Sequence, residues 1–150
     1  MNAATSELTV KEAREMLRGA GLRSTTSRVA VLQHVAVAGK PLSHSDVAEV
    51  LVPEGFDKST IYRCLVELAD ANILTRLEVG DHSWRFELRR GDHHEAGQHP
   101  HFMCVDCGKV TCLNGVEVKI VKTKGGAKEP LLGEVTEIFL KGRCLECGKA

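Results

Sequence analysis

Apolar residues recur at helical spacing through the first half of the chain and then switch to strand-like alternation. Thr9-Val10-Lys11-Glu12 is a capping-box pattern, with Val10, Ala13 and Leu17 on one face behind it and a stop at Gly19 and Gly21. Val29, Leu32 and Ala36 predict a second helix over about 25–37, broken by Gly39-Lys40-Pro41. Ser43-His44-Ser45-Asp46 is a second box of the same kind, backed by Val47, Val50 and Leu51, and Pro53-Glu54-Gly55 makes a turn. A fourth helix starts at Asp57 or Ser59, sets Ile61, Leu65 and Leu68 inward and ends near Asn72.

Residues 74–79 and 83–88 predict two strands joined by Gly80-Asp81-His82. In the second, Trp84, Phe86 and Leu88 share one face, and Arg85 and Glu87 share the other. Helices on tight turns followed by a two-stranded wing describe a winged helix-turn-helix. A small helical bundle with a hairpin fits the same pattern. The stretch up to Gln98 is polar, with Gly91 and Gly97, and reads as a linker. Beyond it, 110–113, 116–122 and 134–140 are strand-like, with no convincing helix between them. The expected fold is α+β: a winged helix-turn-helix at 1–90, a linker at 91–98, and a small, mainly β, metal-binding domain at 99–150.

Composition narrows the classes. With 150 residues, 43% apolar and 27% charged, the chain has an ordinary globular makeup, which excludes disorder, collagen-like repeats and coiled coil. No apolar run approaches the ~20 residues a membrane span needs. Residues 1–11 lack the basic-then-apolar order of a signal peptide, so a cytoplasmic protein without membrane contact is expected. Lys and Arg number 20 against 20 Asp and Glu, and the balance holds within each part, 12 to 12 over 1–90 and 8 to 8 over 91–150. The strongly basic signature of a nucleic-acid binder is missing, so a DNA reading has to come from motifs.

The sharpest motif is an internal repeat: Cys104-Val105-Asp106-Cys107-Gly108-Lys109 returns as Cys144-Leu145-Glu146-Cys147-Gly148-Lys149. A two-residue spacer lets both sulfurs of a pair reach one ion, and the following Gly permits a turn that aims backbone N–H groups at sulfur. Two such knuckles favour a closed structural Zn2+ site on Cys104, Cys107, Cys144 and Cys147 over a redox Cys-x-x-Cys. A second cluster lies just upstream. His99-Pro100-His101 in an extended segment points both imidazoles the same way. Glu87 can add an oxygen and Cys112 a sulfur. The alternative is that His93, His94, His99 and His101 form a solvated polar loop.

With these pieces placed, the chain resembles the ferric uptake regulator family of metal-responsive bacterial repressors. The resemblance rests on Gly21-Leu22-Arg23-Ser24-Thr25 with Arg28, Ser59-Thr60-Ile61-Tyr62-Arg63, Arg85-Phe86-Glu87-Leu88, and the run from His99 through Cys104 and Cys107 to Val110. It implies a homodimer that binds double-stranded operator DNA, takes no small-molecule substrate beyond metal ions, and is not an enzyme. Cys104, Cys107, Cys144 and Cys147 match the structural zinc ligands. Glu87, His99 and His101 match a regulatory site for a second divalent metal, Zn2+ favoured and Fe2+ second, with Cys112 where some members place an acidic ligand. Ser59, Thr60, Tyr62 and Arg63 match the recognition helix, and Arg23 and Arg28 lie where relatives contact the DNA backbone.

Three departures stand out. Where relatives carry a regulatory His at the start of the third helix this chain has Pro41; His82 in the wing turn is the preferred substitute and His44 the other. The additional metal site of some members has Gln98, Pro100 and Thr136 at its positions and is not expected. The helix usual in the dimerisation domain is missing from 122–133, where Gly125-Gly126 and Pro130 oppose it. The expected function is repression of metal-uptake or metal-homeostasis genes with metal as co-repressor. A peroxide sensor of the same family is the near alternative. From other classes come a zinc-dependent deaminase-type enzyme, suggested by His93-His94-Glu95 but too tightly spaced from the first knuckle, and a structural zinc module.

Overall fold

Each helix starts at a side-chain cap in the structure, a computed structural model that describes residues 7–89, 100–113, 115–121, 124–125 and 138–149. α1 (Val10–Gly19) has the full capping box: Thr9 Oγ1 accepts the Glu12 amide at 3.2 Å and the Glu12 carboxylate accepts the Thr9 amide at 2.8 Å. α2 (Thr26–Ala38) is capped by Thr25 and closes on Gly39, whose φ of 60° lies in the left-handed region. α3 (His44–Leu51) repeats the box with Ser43 and Asp46. α4 (Lys58–Asp70) begins at Asp57, whose carboxylate accepts the amides of Ser59 and Thr60, each at 3.1 Å.

The described residues fall into two units, Met1–Arg89 and Arg90–Ala150. In the first, β1 (Leu42–Ser43), β2 (Leu74–Glu78) and β3 (Trp84–Leu88) form an antiparallel sheet in the order β1-β3-β2. Leu17, Leu32, Val35, Val47, Ile61, Leu65, Leu68 and Phe86 are buried together between helices and sheet. Burial of each such side chain is worth about 1.5–3 kcal/mol. This is the expected helix-and-wing arrangement, with corrections at its edges. Val10 and Val50, expected inward, are 45% and 43% exposed, and Ala48 and Cys64 take core places instead. Trp84 is exposed while Arg85 is buried, against the expected alternation. β1 pairs only with Arg85 and Phe86, so Trp84, at the last rung of the β2–β3 ladder, projects past it. There the Arg76 guanidinium covers its ring at 4.5 Å. Arg85 folds onto Asp81 through two bonds of 2.8 and 3.1 Å.

In the second unit, β4 (His101–Cys104) lies between β5 (Val110–Cys112), antiparallel, and β6 (Phe139–Gly142), parallel. Gly142 sits close under the Phe102 ring, which a Cβ would meet at 3.0 Å, so any side chain there requires the ring to give way by a few tenths of an ångström. Residues 116–121, expected as a strand, form none: no described strand pairs with them, and Ile120 and Val121 are left exposed. Of 122–133 only Lys124 and Gly125 are described, and 134–137 lie outside the described residues. Among the described residues no helix is long and apolar enough to cross a membrane.

Candidate metal centre and nucleic-acid interface

The second unit brings the two knuckles together. The Sγ atoms of Cys104, Cys107, Cys144 and Cys147 all lie within 4.8 Å of one another, with Cys107 and Cys144 3.9 Å apart. Four sulfurs about 2.3 Å from a tetrahedral zinc stand about 3.8 Å apart, so the cluster has the size that ion requires. Each knuckle turns through its glycine: the amides of Gly108 and Gly148 donate to the carbonyls of Cys104 and Cys144 at 2.9 and 2.8 Å. The turns are tied to each other by Lys109–Glu146 at 2.8 Å and Arg143–Asp106 at 3.0 Å. Amide donors, first that of Cys107 and then that of Cys144, pull the Cys104 thiol down to about 6. Cys147, hydrogen-bonded to the sulfurs of Cys144 and Cys107, is pushed up to about 12. Thiols this close cannot all ionise unless a cation sits among them, and a dication is what this donor set is built to hold.

Of the residues expected to bind a regulatory ion, His101 and Cys112 are brought side by side as partners in the β4–β5 register. His101 is buried and stacks on Phe139 with ring centroids 5.4 Å apart, and Cys112 is half-buried. Glu87 belongs to the first unit, half-buried on β3 opposite Thr75. His99 lies outside the described residues, as do His93, His94, Gln98 and Thr136. His82 sits exposed in the wing turn with φ 60°, and the structure does not bring it to Glu87. The separation follows from the register: Glu87 lies near the base of the hairpin and His82 at its tip. His44 is engaged elsewhere, its Nε2 lying 2.9 Å from the Lys58 carbonyl.

On α4 the expected recognition residues divide into an outer face and a cap. Tyr62 and Arg63 are exposed while Ile61, Cys64, Leu65 and Leu68 turn inward. Ser59 and Thr60 also start the helix. Their bonds, with the Ser59 hydroxyl contributing most, hold the Asp57 carboxyl below the usual range. Arg63 rests against Thr60 Oγ1 at 3.4 Å. Glu67, one turn on, takes Arg28 instead, whose Nε and Nη2 donate to its carboxylate at 2.9 and 2.7 Å. The remaining nitrogen, Nη1, donates to the Arg23 carbonyl at 2.9 Å. Arg28, expected at the DNA backbone, thus has all three nitrogens engaged within the protein and ties α2 to α4. Arg23 itself is exposed. Two residues escaped sequence reasoning. Glu67 was visible only as an acid one turn after Arg63, and Cys64 only as the position three after Ile61.

Comparison with known proteins agrees with this layout. The profile of the Ferric uptake regulator family matches residues 19–129. The Ferric uptake regulation protein of Neisseria meningitidis is 31% identical over 134 residues, spanning 87% of this chain and 90% of that relative. The crystal structure of the Vibrio cholerae ferric uptake regulator matches with a TM-score of 0.65 at 24% identity, over 87% of this chain and 98% of its own. A zinc uptake regulator complexed with zinc and DNA matches with a TM-score of 0.58 at 20% identity, over 99% of this chain and 97% of its own. The α+β fold expected from the sequence is the fold these structures have, and the chain belongs to the ferric uptake regulator family of metal-responsive transcriptional regulators.

Proposed function

We propose that this protein is a homodimeric DNA-binding repressor of metal-uptake or metal-homeostasis genes, with zinc as the regulatory ion. The observation that carries this reading is the presence of two unlike donor sets: a closed cluster of four thiols and, outside it, an imidazole and a thiol paired on adjacent strands at His101 and Cys112. Four thiolates leave no open position and suit a permanent ion, whereas mixed nitrogen, oxygen and sulfur donors suit one that exchanges. Glu87, His99, His101 and Cys112 would hold the exchangeable ion. Glu87 precedes the linker and the other three follow it, so metal occupancy and the placement of α4 become one equilibrium. Two α4 helices across a dimer axis would enter successive major grooves, Tyr62 and Arg63 reaching base edges. The bound dication also adds positive charge to a chain whose own net charge is zero.

The thiol of Cys112 favours zinc, because iron(II) and manganese(II) sites are more often built from oxygen and nitrogen alone. That one structural relative is complexed with both metal and DNA supports the pairing of metal with DNA binding. The test is DNA binding by fluorescence anisotropy, using a duplex selected by the protein from a randomised pool, in chelator and with each divalent ion added singly. Zinc is expected to raise affinity at the lowest free concentration. A response to iron(II) alone would reassign the metal, and affinity indifferent to every ion would overturn the repressor reading.

A further inference from the structure

We propose that His44 is a positioning residue for DNA readout, fixing Tyr62 where it meets the base edges; this rests on the DNA-binding reading above. His44 is the first residue of α3 and half-buried, and its Nε2 lies 2.9 Å from the Lys58 carbonyl. A carbonyl can only accept, so Nε2 carries the proton. Lys58 opens α4, and in helical register its carbonyl is the one that also receives the Tyr62 amide. The same imidazole stands edge-on to the Tyr62 ring, with centroids 5.4 Å apart and planes at 76°, the arrangement that ring quadrupoles favour. One side chain therefore holds both the backbone and the ring of the first turns of α4.

Tyr62 is 45% exposed, and an exposed tyrosine samples several rotamers unless something braces it. Bracing it before DNA arrives removes an ordering cost from binding and directs the gain to the sequence that fits. The α3 cap is already complete without His44, since Ser43 and Asp46 form the capping box between them. His44 also joins no group of three or more potential metal ligands among the described residues.

Tyr62 is the only tyrosine of the chain, so full-length protein labelled at tyrosine gives one set of ring signals in NMR spectra. Two zinc-loaded variants separate the two contacts: His44→Gln keeps a donor for the Lys58 carbonyl without a ring, and His44→Phe keeps a ring edge without the donor. Each is compared with wild type on the selected duplex and on a scrambled one. In His44→Gln the ring signals should move towards those of free tyrosine. Affinity for the selected duplex should fall about tenfold, while the scrambled duplex and the melting curve stay at wild-type values. His44→Phe should keep the signals and bind within about twofold of wild type. Wild-type tyrosine signals in His44→Gln, or equal losses on both duplexes, would overturn the positioning role and leave the DNA reading standing. A pool that yields no preferred duplex overturns the DNA reading, and the positioning role with it.

Discussion

The pairing of Arg28 with Glu67 shows how much of this protein is decided by single side chains. Its carboxylate is partly exposed and its guanidinium mostly covered, at 44% and 18%. Glu67→Ala should therefore lower stability by about 1 kcal/mol, the upper end for exposed ion pairs, in urea melts. Gly142 is a harder constraint. Gly142→Ala drives a Cβ to 3.0 Å from the Phe102 ring, and the Gly142 carbonyl also receives the Val105 amide at 2.8 Å, one residue after Cys104. Overpacking of this kind costs about 1–3 kcal/mol. Hydrogen exchange on the second unit should show faster opening, and unchanged exchange rates would contradict it. At this scale the sequence was least legible. Alternation put Arg85 on a solvated face because pattern counts residues and does not see that Asp81, four back across a turn, can neutralise it. Glu67 stands one helical turn after Arg63, yet a residue 39 positions earlier claims its carboxylate, which no local pattern shows.

Elements were more legible, because a helix start is a local chemical event. Thr9 with Glu12 and Ser43 with Asp46 each satisfy amides within three residues, and both boxes form as written in the chain. β1 was not legible. It is two residues long and exists only because β3 offers it a partner. Residues 116–121 are the converse case, an alternating stretch to which no described strand pairs. The cap of α4 carries a pH prediction. Asp57 is held below its ordinary value of 3.8 by hydrogen bonds that exist only in the folded state. Its contribution is complete above that ordinary value and is lost as pH falls through the depressed folded value. Urea melts from pH 7 down to acid should show wild type losing more stability than Asp57→Asn, which keeps an acceptor without the charge. Parallel curves would contradict it. On the outer face of the same helix, Tyr62→Ala and Arg63→Ala should each weaken binding to the selected duplex by at least about tenfold while leaving the melting curve alone. Both side chains are exposed, Tyr62 touching the half-buried His44 ring only edge-on and Arg63 resting on Thr60 Oγ1.

At the scale of the whole molecule, the thiol cluster was legible because two knuckles of the same spacing announce each other. The second donor set was legible only in part: the sequence favoured His82 over His44 and Cys112 to complete it, whereas the β4–β5 register sets Cys112 beside His101. If the two sets have different jobs, they must be separable. Cys104→Ser should release the closed-site zinc and unfold the second unit, whose described strands have only three or four residues each. His101→Ala should do neither. It deletes a ring stacked on Phe139, so some stability is lost, but the four thiols keep their ion and the dimer persists. What should go is the dependence of DNA affinity on added zinc. Changing a residue that only hydrogen-bonds a metal ligand costs about 10–100-fold in metal affinity, and removing a ligand costs more. The coupling of about 1–3 kcal/mol usual between linked sites should then fall towards zero. Glu87→Ala is expected to behave in the same way, although it lies in the other unit. Anisotropy titrations of both variants with and without zinc, alongside metal analysis of the purified protein, decide the matter. If His101→Ala still answers zinc as wild type does, His101 is a packed core ring beside Phe139, and the exchangeable ion is held by other residues.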